Sequence, residues 1–339
     1  MKAEALYLLL KSDLKLVEKE IKRVLEESAL ESSKHLIEYV LEAKGKMIRP
    51  ILVLLSAYAE HGTANKAAYH QTLIKVAAAI EIIHMASLLH DDVIDEAKER
   101  RGKASLNACY GDAIAVTMGV LLYSASLALI AETKHTAVLT ELSKSVREMC
   151  EGELLQYKIR TTFVYNEKDY YDVIYAKTGT LFRAACFAGA LSASASNESL
   201  TAFDSFSKHA GLAFQLSDDY LDLFGDKNDL NKELGQDYLQ GQLTLPMIYA
   251  LESLNEKDQA LIITQIENKD ISGLQYLKEV IERTNVQDKI FSTIESHLQK
   301  AQEALSAFPN TNYVKGLRFI TEFIGNRVSP KKSNKLLTF

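Results

Sequence analysis

Only four prolines fall among the 339 residues, and they stand far apart, so nothing repeatedly interrupts a helix along this chain. Fifteen glycines add few further breaks, while Ala, Leu, Glu and Lys, all good helix formers, are frequent. Leu14, Val17, Ile21, Val24 and Leu25 recur at helical spacing in a charged background, which predicts an amphipathic first helix. Pro50 marks the start of another. Breaks are predicted near His61 to Asn65, Asn166 to Lys168, Ser192 to Ser199, Gly225 to Gln242, Asn268 to Gly273 and Pro309 to Asn312. None is long enough for a domain linker, and neither alternating strands nor a fixed-period repeat occurs, so the expectation is an all-α, single-domain helical bundle. We place that domain at residues 1–326, followed by a lysine-containing C-terminal tail at 327–339.

The formal charge of -6 is spread along the chain without a basic stripe, which argues against nucleic acid as a partner. Cys109, Cys150 and Cys186 are far apart and odd in number, as expected of reduced thiols in a cytoplasmic protein. The apolar run Leu6 to Leu10 is too short and too closely flanked by charge for a signal peptide. Ala113 to Ala131 reaches the length of a membrane span, but its Ser, Thr, Gly and Tyr content fits the buried centre of a bundle instead. Membrane contact is expected to be peripheral at most.

Two segments carry chemistry. In LLHDDVIDEAKERRGK, Asp91 and Asp95 stand one helical turn apart on one face beside Asp92, and FQLSDDYLDLFGD repeats the pattern with Asp218, Asp219 and Asp222. A single DDxxD is compatible with a solvated helix face. Two copies, each after an apolar helical run, point to facing walls that bind hard divalent cations, since like charges one turn apart repel until a cation joins them. Lys46, Arg49, Arg100, Arg101 and Lys177 are of the types that bind phosphate oxygens. His84 precedes Asp91 by seven residues and so lies two turns below it on nearly the same face, placed to donate to a second diphosphate.

From about Lys44 to Pro246 these residues resemble the trans-isoprenyl (polyprenyl) diphosphate synthases. DDVIDEAKERRG is similar to that family's first aspartate-rich motif with its trailing arginines, and QLSDDYLD to its second. KGKMIRP, GELLQ, KTG and the stretch ending in TLP follow in the family's order. The resemblance implies the isoprenoid synthase fold with a central cavity, and head-to-tail condensation of isopentenyl diphosphate with an allylic diphosphate. It further implies magnesium, three ions with substrate bound, with Asp91, Asp95 and Asp218 as direct ligands and Asp92, Asp219 and Asp222 in support. Lys46, Arg49, His84 and Arg101 match the isopentenyl diphosphate site, while Arg100, Lys177, Thr178, Gln215 and Lys232 match the surroundings of the allylic diphosphate and its cation. A homodimer is the implied assembly, with a dissimilar small subunit as an alternative.

Departures from the family pattern are Lys44 for a glycine, Met47 for an arginine, Val120 for an aspartate and Gln242 for a lysine. Gln242 removes a positive charge near the allylic diphosphate. In the family, the residues four and five before the first aspartate motif form a floor for the growing product; here they are the small Ala86 and Ser87. Each further prenyl unit needs a depth of roughly one helical turn, so an open shaft predicts a product of about six to eight units. The alternatives are a shorter-chain (farnesyl or geranylgeranyl) synthase, an inactive partner subunit, a terpene cyclase, or a phosphohydrolase using His90 and Asp91 with His35, His61, His70 or His84. The last leaves the second aspartate motif and both arginines unexplained, and a cyclase has no use for Lys46, Arg49 and His84.

Overall fold

The structure is a computed structural model that describes residues 1–28, 30–43, 45–63, 66–225 and 234–328. Helices α1 (Ala3–Ser28), α2 (Lys34–Glu42) and α3 (Ile48–Ala59) lead into the long α4 (Lys66–Ile94). A two-residue-per-strand hairpin follows, β1 (Glu99–Arg100) and β2 (Lys103–Ala104), and then α5 (Leu106–Tyr110), α6 (Asp112–Glu132), α7 (Thr136–Thr162) and α8 (Glu167–Ile174). A π-helical turn at Tyr175–Gly179 joins α8 to α9 (Thr180–Ser192). Helix α10 (Asn197–Phe224) is nearly as long as α4 and is followed by α11 (Gln236–Leu239), α12 (Leu245–Glu252), α13 (Glu256–Glu267), α14 (Ile271–Arg283), α15 (Val286–Ala304) and α16 (Asn312–Arg327). This all-α architecture matches the expectation, the minute hairpin being too short to show a period in sequence.

Helix α4 is the hub. It packs on α6, α3, α1 and α9, and its middle is buried on every side from Leu73 through Ile83, which is why apolar residues there do not follow one stripe. Helix α10 buries Phe203, Phe206, Ala210, Ala213 and Leu216 against α9, α15 and α16. Helix α4 carries Asp91 and Asp92 in its last turn, with Asp95 just past its end, and α10 carries Asp218, Asp219 and Asp222 in its last two turns. Helix α6 differs from its expected place at a buried centre. One face, with Met118, Leu122 and Leu129, packs inward, while Ile114, Val116, Val120 and Leu127 are exposed, as are Leu154 and Tyr157 of α7. By length and apolarity α4 and α6 pass as membrane spans, but two-thirds of the apolar window of α4 is buried inside the bundle.

Close helix contacts depend on missing side chains. A Cβ added to Gly189 of α9 would stand 2.1 Å from the Val53 carbonyl oxygen of α3, a backbone atom with no room to retreat. Gly189→Ala is therefore expected to cost about 1–3 kcal/mol, read as a lower midpoint in thermal or denaturant unfolding. Gly211 of α10 meets Gly179 in the same way, where an added Cβ would lie 2.8 Å from the Gly179 Cα. These two glycines bring α10 against the π-helical turn that carries Lys177 and Thr178.

Candidate active site

The C-terminal ends of α4 and α10 converge on one cavity of about 470 Å³. Its lining includes Asp91, Asp218 and Asp219 together with Lys46, Arg49, Arg101 and His84. Two helix C-termini already present partial negative charge, and adding carboxylates there is electrostatically uphill. The protein accordingly resists ionising them. Burial pushes the Asp91 carboxyl up to about 6, with Lys177 opposing and Glu153 and Asp95 adding to the rise. Burial pushes Asp219 up to about 7, although Tyr170 (2.6 Å) and Gln215 (2.8 Å) donate hydrogen bonds to it. Asp95 is also raised by burial, with Lys177 opposing. Among the described residues no three such groups stand together as a ready-made metal cluster, but carboxylates that burial makes costly to ionise, on two helix ends lining one cavity, are oxygen donors of the type a hard divalent cation binds.

The six aspartates divide by direction. Asp91, Asp218 and Asp219 line the cavity, and Asp95 accepts from the Gln242 amide, which also lines it, at 3.3 Å. Asp92 instead binds Arg100 at 2.6 Å, while its backbone oxygen accepts from Asn107 at 3.1 Å, which fastens the hairpin and α5 to the end of α4. Asp222 accepts from the backbone N–H groups of Gln236 (3.3 Å) and Asp237 (3.2 Å), fixing the start of α11. Arg100 is thus held at Asp92 and does not line the cavity, whereas Arg101 does, with its Nη1 on the Ala43 carbonyl at 2.7 Å.

Lys177 reaches into the cavity from the π-helical turn, pairs with Glu153 at 2.5 Å and donates to Gln156. Thr178 donates to Gln215 Oε1 at 2.7 Å, and Gln215 Nε2 donates to Asp219, so a fixed chain of polar groups leads from the turn to the second motif. Desolvation lowers the half-buried Arg49 to about 10, still charged at neutral pH, with Glu81 opposing the shift. Burial, reinforced by Arg49 and Arg101, holds His84 well below the usual histidine value, so it is a neutral donor. Lys46 is lowered by burial and then by Arg327, and its ammonium lies 5.8 Å from the Phe323 ring. Ser87 lines the cavity one turn below Asp91 and donates to the His84 carbonyl at 2.9 Å; Ala86 is fully buried and lies off the lining. Lys232 lies outside the described residues.

Several groups were given no role from sequence. Arg327, in the last turn of α16, binds Asp218 and stands 5.1 Å from the Phe214 ring, placing the end of the helical domain inside the site. Nothing local marks it, because its partner is 109 residues away. Tyr170, Glu153 and Gln156 are likewise set by tertiary packing, although the latter two fall within the GELLQ motif. Glu81 is visible in principle, three residues before His84 on the same face, and it is buried at the cavity wall near Arg49 and Arg101.

An electrostatic consequence is measurable. A carboxyl raised in the folded state keeps its proton where the unfolded chain has lost it, so its contribution to stability falls as pH rises between the unfolded value near 4 and the folded one near 7. In the presence of a chelator, the stability of the wild type relative to Asp219→Asn should therefore drop by about 2 kcal/mol between pH 5 and pH 8. Denaturant unfolding at both pH values checks the sign.

These features have close counterparts. Residues 31–284 match the polyprenyl synthetase family. The chain is 35% identical to heptaprenyl diphosphate synthase component 2 of Geobacillus stearothermophilus, covering 96% of this chain and 99% of that protein. It is 32% identical to a short chain isoprenyl diphosphate synthase of Methanothermobacter thermautotrophicus, covering 92% and 94%. The solved structure of a Caulobacter crescentus polyprenyl synthase complexed with calcium and isoprenyl diphosphate superposes with a TM-score of 0.86 at 28% identity, covering 97% of this chain and 98% of that one. The chain belongs to the polyprenyl synthetase family, and it is a prenyltransferase.

Proposed function

We propose that this enzyme condenses isopentenyl diphosphate head to tail with an allylic diphosphate to make a long-chain trans-polyprenyl diphosphate. One observation carries the reading: a single cavity is lined both by carboxylates from the ends of α4 and α10 and by the cations Lys46, Arg49, Arg101 and Lys177, the groups that two diphosphates and their divalent ions need. Asp91, Asp95 and Asp218 would hold magnesium, which when bound offsets the charge of the allylic diphosphate and makes it a better leaving group. Calcium with isoprenyl diphosphate in the Caulobacter protein supports a divalent ion here.

Lys177 orients the allylic diphosphate, and the hydroxyl of Thr178 and the carbonyl of Gln215 present lone pairs toward the cation formed as the carbon–oxygen bond breaks. Lys46, Arg49 and Arg101 hold isopentenyl diphosphate, with neutral His84 as a further donor. Its double bond attacks the cation, and loss of a proton restores a double bond in the longer product. Ser87, small and on the cavity wall, sets no bulky stop one turn below Asp91, which favours long products, as the name of the heptaprenyl relative also does.

The exposed apolar residues of α6 and α7 are suited to pairing with a second copy of this chain, and the enzyme works as that homodimer in the cytoplasm. The word "component" in the name of the Geobacillus protein makes a dissimilar partner on the same face the competing assembly. The purified chain alone, given labelled isopentenyl diphosphate, an allylic primer and magnesium, is expected to yield lengthened diphosphates, with none formed in EDTA. Release of alcohol or monophosphate would instead support hydrolysis, and coupling only after a second protein is added would support the two-component assembly.

A further inference from the structure

We propose that a second cavity, between α1, α2, α4 and the β1–β2 hairpin, is a regulatory site for an uncharged isoprenoid alcohol, and that filling it weakens the hold on isopentenyl diphosphate. The weakening, though not the binding, rests on the condensation reading above. The cavity measures about 760 Å³, within the range of small-molecule sites. Ile21 of α1, Val40 and Leu41 of α2, Met85 and Leu89 of α4 and Leu106 of α5 give it apolar walls. Cationic and carboxylate side chains line it in equal number, and several are already paired: Lys103 with Glu42 at 2.7 Å, Lys22 with Glu26 at 3.5 Å and Arg100 with Asp92 at 2.6 Å. Such walls offer an ionic ligand no net counter-charge and favour an uncharged one. One polar group is left over. Glu81 is only 5% exposed, and its Oε2 has no hydrogen-bond partner among the described residues. A ligand hydroxyl meets that need in either state of the acid, because it donates to a carboxylate and accepts from a carboxylic acid. An apolar chain with one hydroxyl at its tip therefore fits, and hydrolysis of a prenyl diphosphate yields such a molecule.

Met47, Glu81, His84, Leu88 and Arg101 line both this cavity and the active-site cavity, so the two are neighbours across one wall of side chains. Glu81 is the group in that wall through which they communicate, because it interacts electrostatically with both Arg49 and Arg101, the cations assigned to isopentenyl diphosphate. A hydroxyl that donates to Glu81 favours its ionised form. The carboxylate then offsets more of the charge that the two arginines present to a diphosphate, and the affinity for isopentenyl diphosphate falls. Because the cavities are distinct, both ligands can be bound at once, and isopentenyl diphosphate must weaken the alcohol by the same factor.

The sequence contains no tryptophan, so Leu41→Trp puts the only indole of the chain in the wall of this cavity. Farnesol should change its emission saturably, and with saturating isopentenyl diphosphate present the midpoint should move to about fivefold more farnesol. In the wild type, which needs no substitution, farnesol should raise the KM for isopentenyl diphosphate about fivefold and then reach a plateau. Farnesyl methyl ether, which accepts but cannot donate a hydrogen bond, should leave that KM unchanged. Glu81→Gln, which cannot ionise, should still bind farnesol when combined with Leu41→Trp, yet its KM should stay within about twofold at every farnesol concentration. An indole that farnesol leaves unchanged would overturn the proposal, as would an ether as effective as the alcohol. A KM that rises without limit, or competition with the allylic substrate alone, would place farnesol in the active-site cavity and overturn it equally. A wild type that couples no isopentenyl diphosphate would sink the condensation reading, while the indole titration would still decide whether this cavity binds the alcohol.

Discussion

Asp91→Ala is expected to lower kcat/KM by about 10³-fold or more, equivalent to at least about 4 kcal/mol of lost transition-state stabilisation. Asp91 lines the cavity at the end of α4, and the charge developing on the departing pyrophosphate needs the ions that its carboxylate would hold. The same substitution should not weaken the fold. Burial and the neighbouring Glu153 and Asp95 make the ionised Asp91 unfavourable in the absence of metal, so the variant is expected to unfold in EDTA at or above the wild-type midpoint. Steady-state rates paired with thermal unfolding distinguish this from a structural role. A loss of less than about tenfold would mean that Asp91 does not act on the leaving group.

Ser87→Phe is expected to shorten the product to about three or four units, the second large effect. Ser87 stands one turn below Asp91 on the cavity wall, and each prenyl unit extends roughly one turn deeper, about 5 Å. A phenyl ring there closes the shaft close to the reacting carbon. Adding Ala86→Phe should strengthen the block, but Ala86 is fully buried, and the double variant carries an overpacking cost of about 1–3 kcal/mol that the single variant avoids. Chromatographic separation of the products reads the result directly, and an unchanged ladder from a folded Ser87→Phe enzyme would show that the floor lies elsewhere.

Helix content and the aspartate motifs were legible because they are local: a 3.6-residue period places Asp91 and Asp95 on one face and turns Asp92 toward another side. That offset becomes the Asp92–Arg100 clamp. What period and composition do not encode is which apolar face finds a neighbour. Helix α6 is apolar all round yet half-exposed, whereas α4, with partners on several sides, is buried through most of its middle. Contacts across long stretches of chain were equally silent. Arg327 was assigned to a tail beyond the domain, but it ends α16 and meets Asp218; Arg100 pairs with Asp92 instead of facing the cavity. Gln242 read as a missing charge, and its bridge from Asp95 to Gln156 required three separate elements to be in place.

Pyrophosphate-dependent binding of Mn²⁺, followed by electron paramagnetic resonance in the wild type, Asp91→Ala and Asp218→Ala, tests most directly whether α4 and α10 share one ion cluster. The account predicts that pyrophosphate tightens Mn²⁺ binding in the wild type and that either single substitution abolishes the coupling. Full coupling surviving in one of the two variants would mean that the helix ends bind ions independently, contrary to this account.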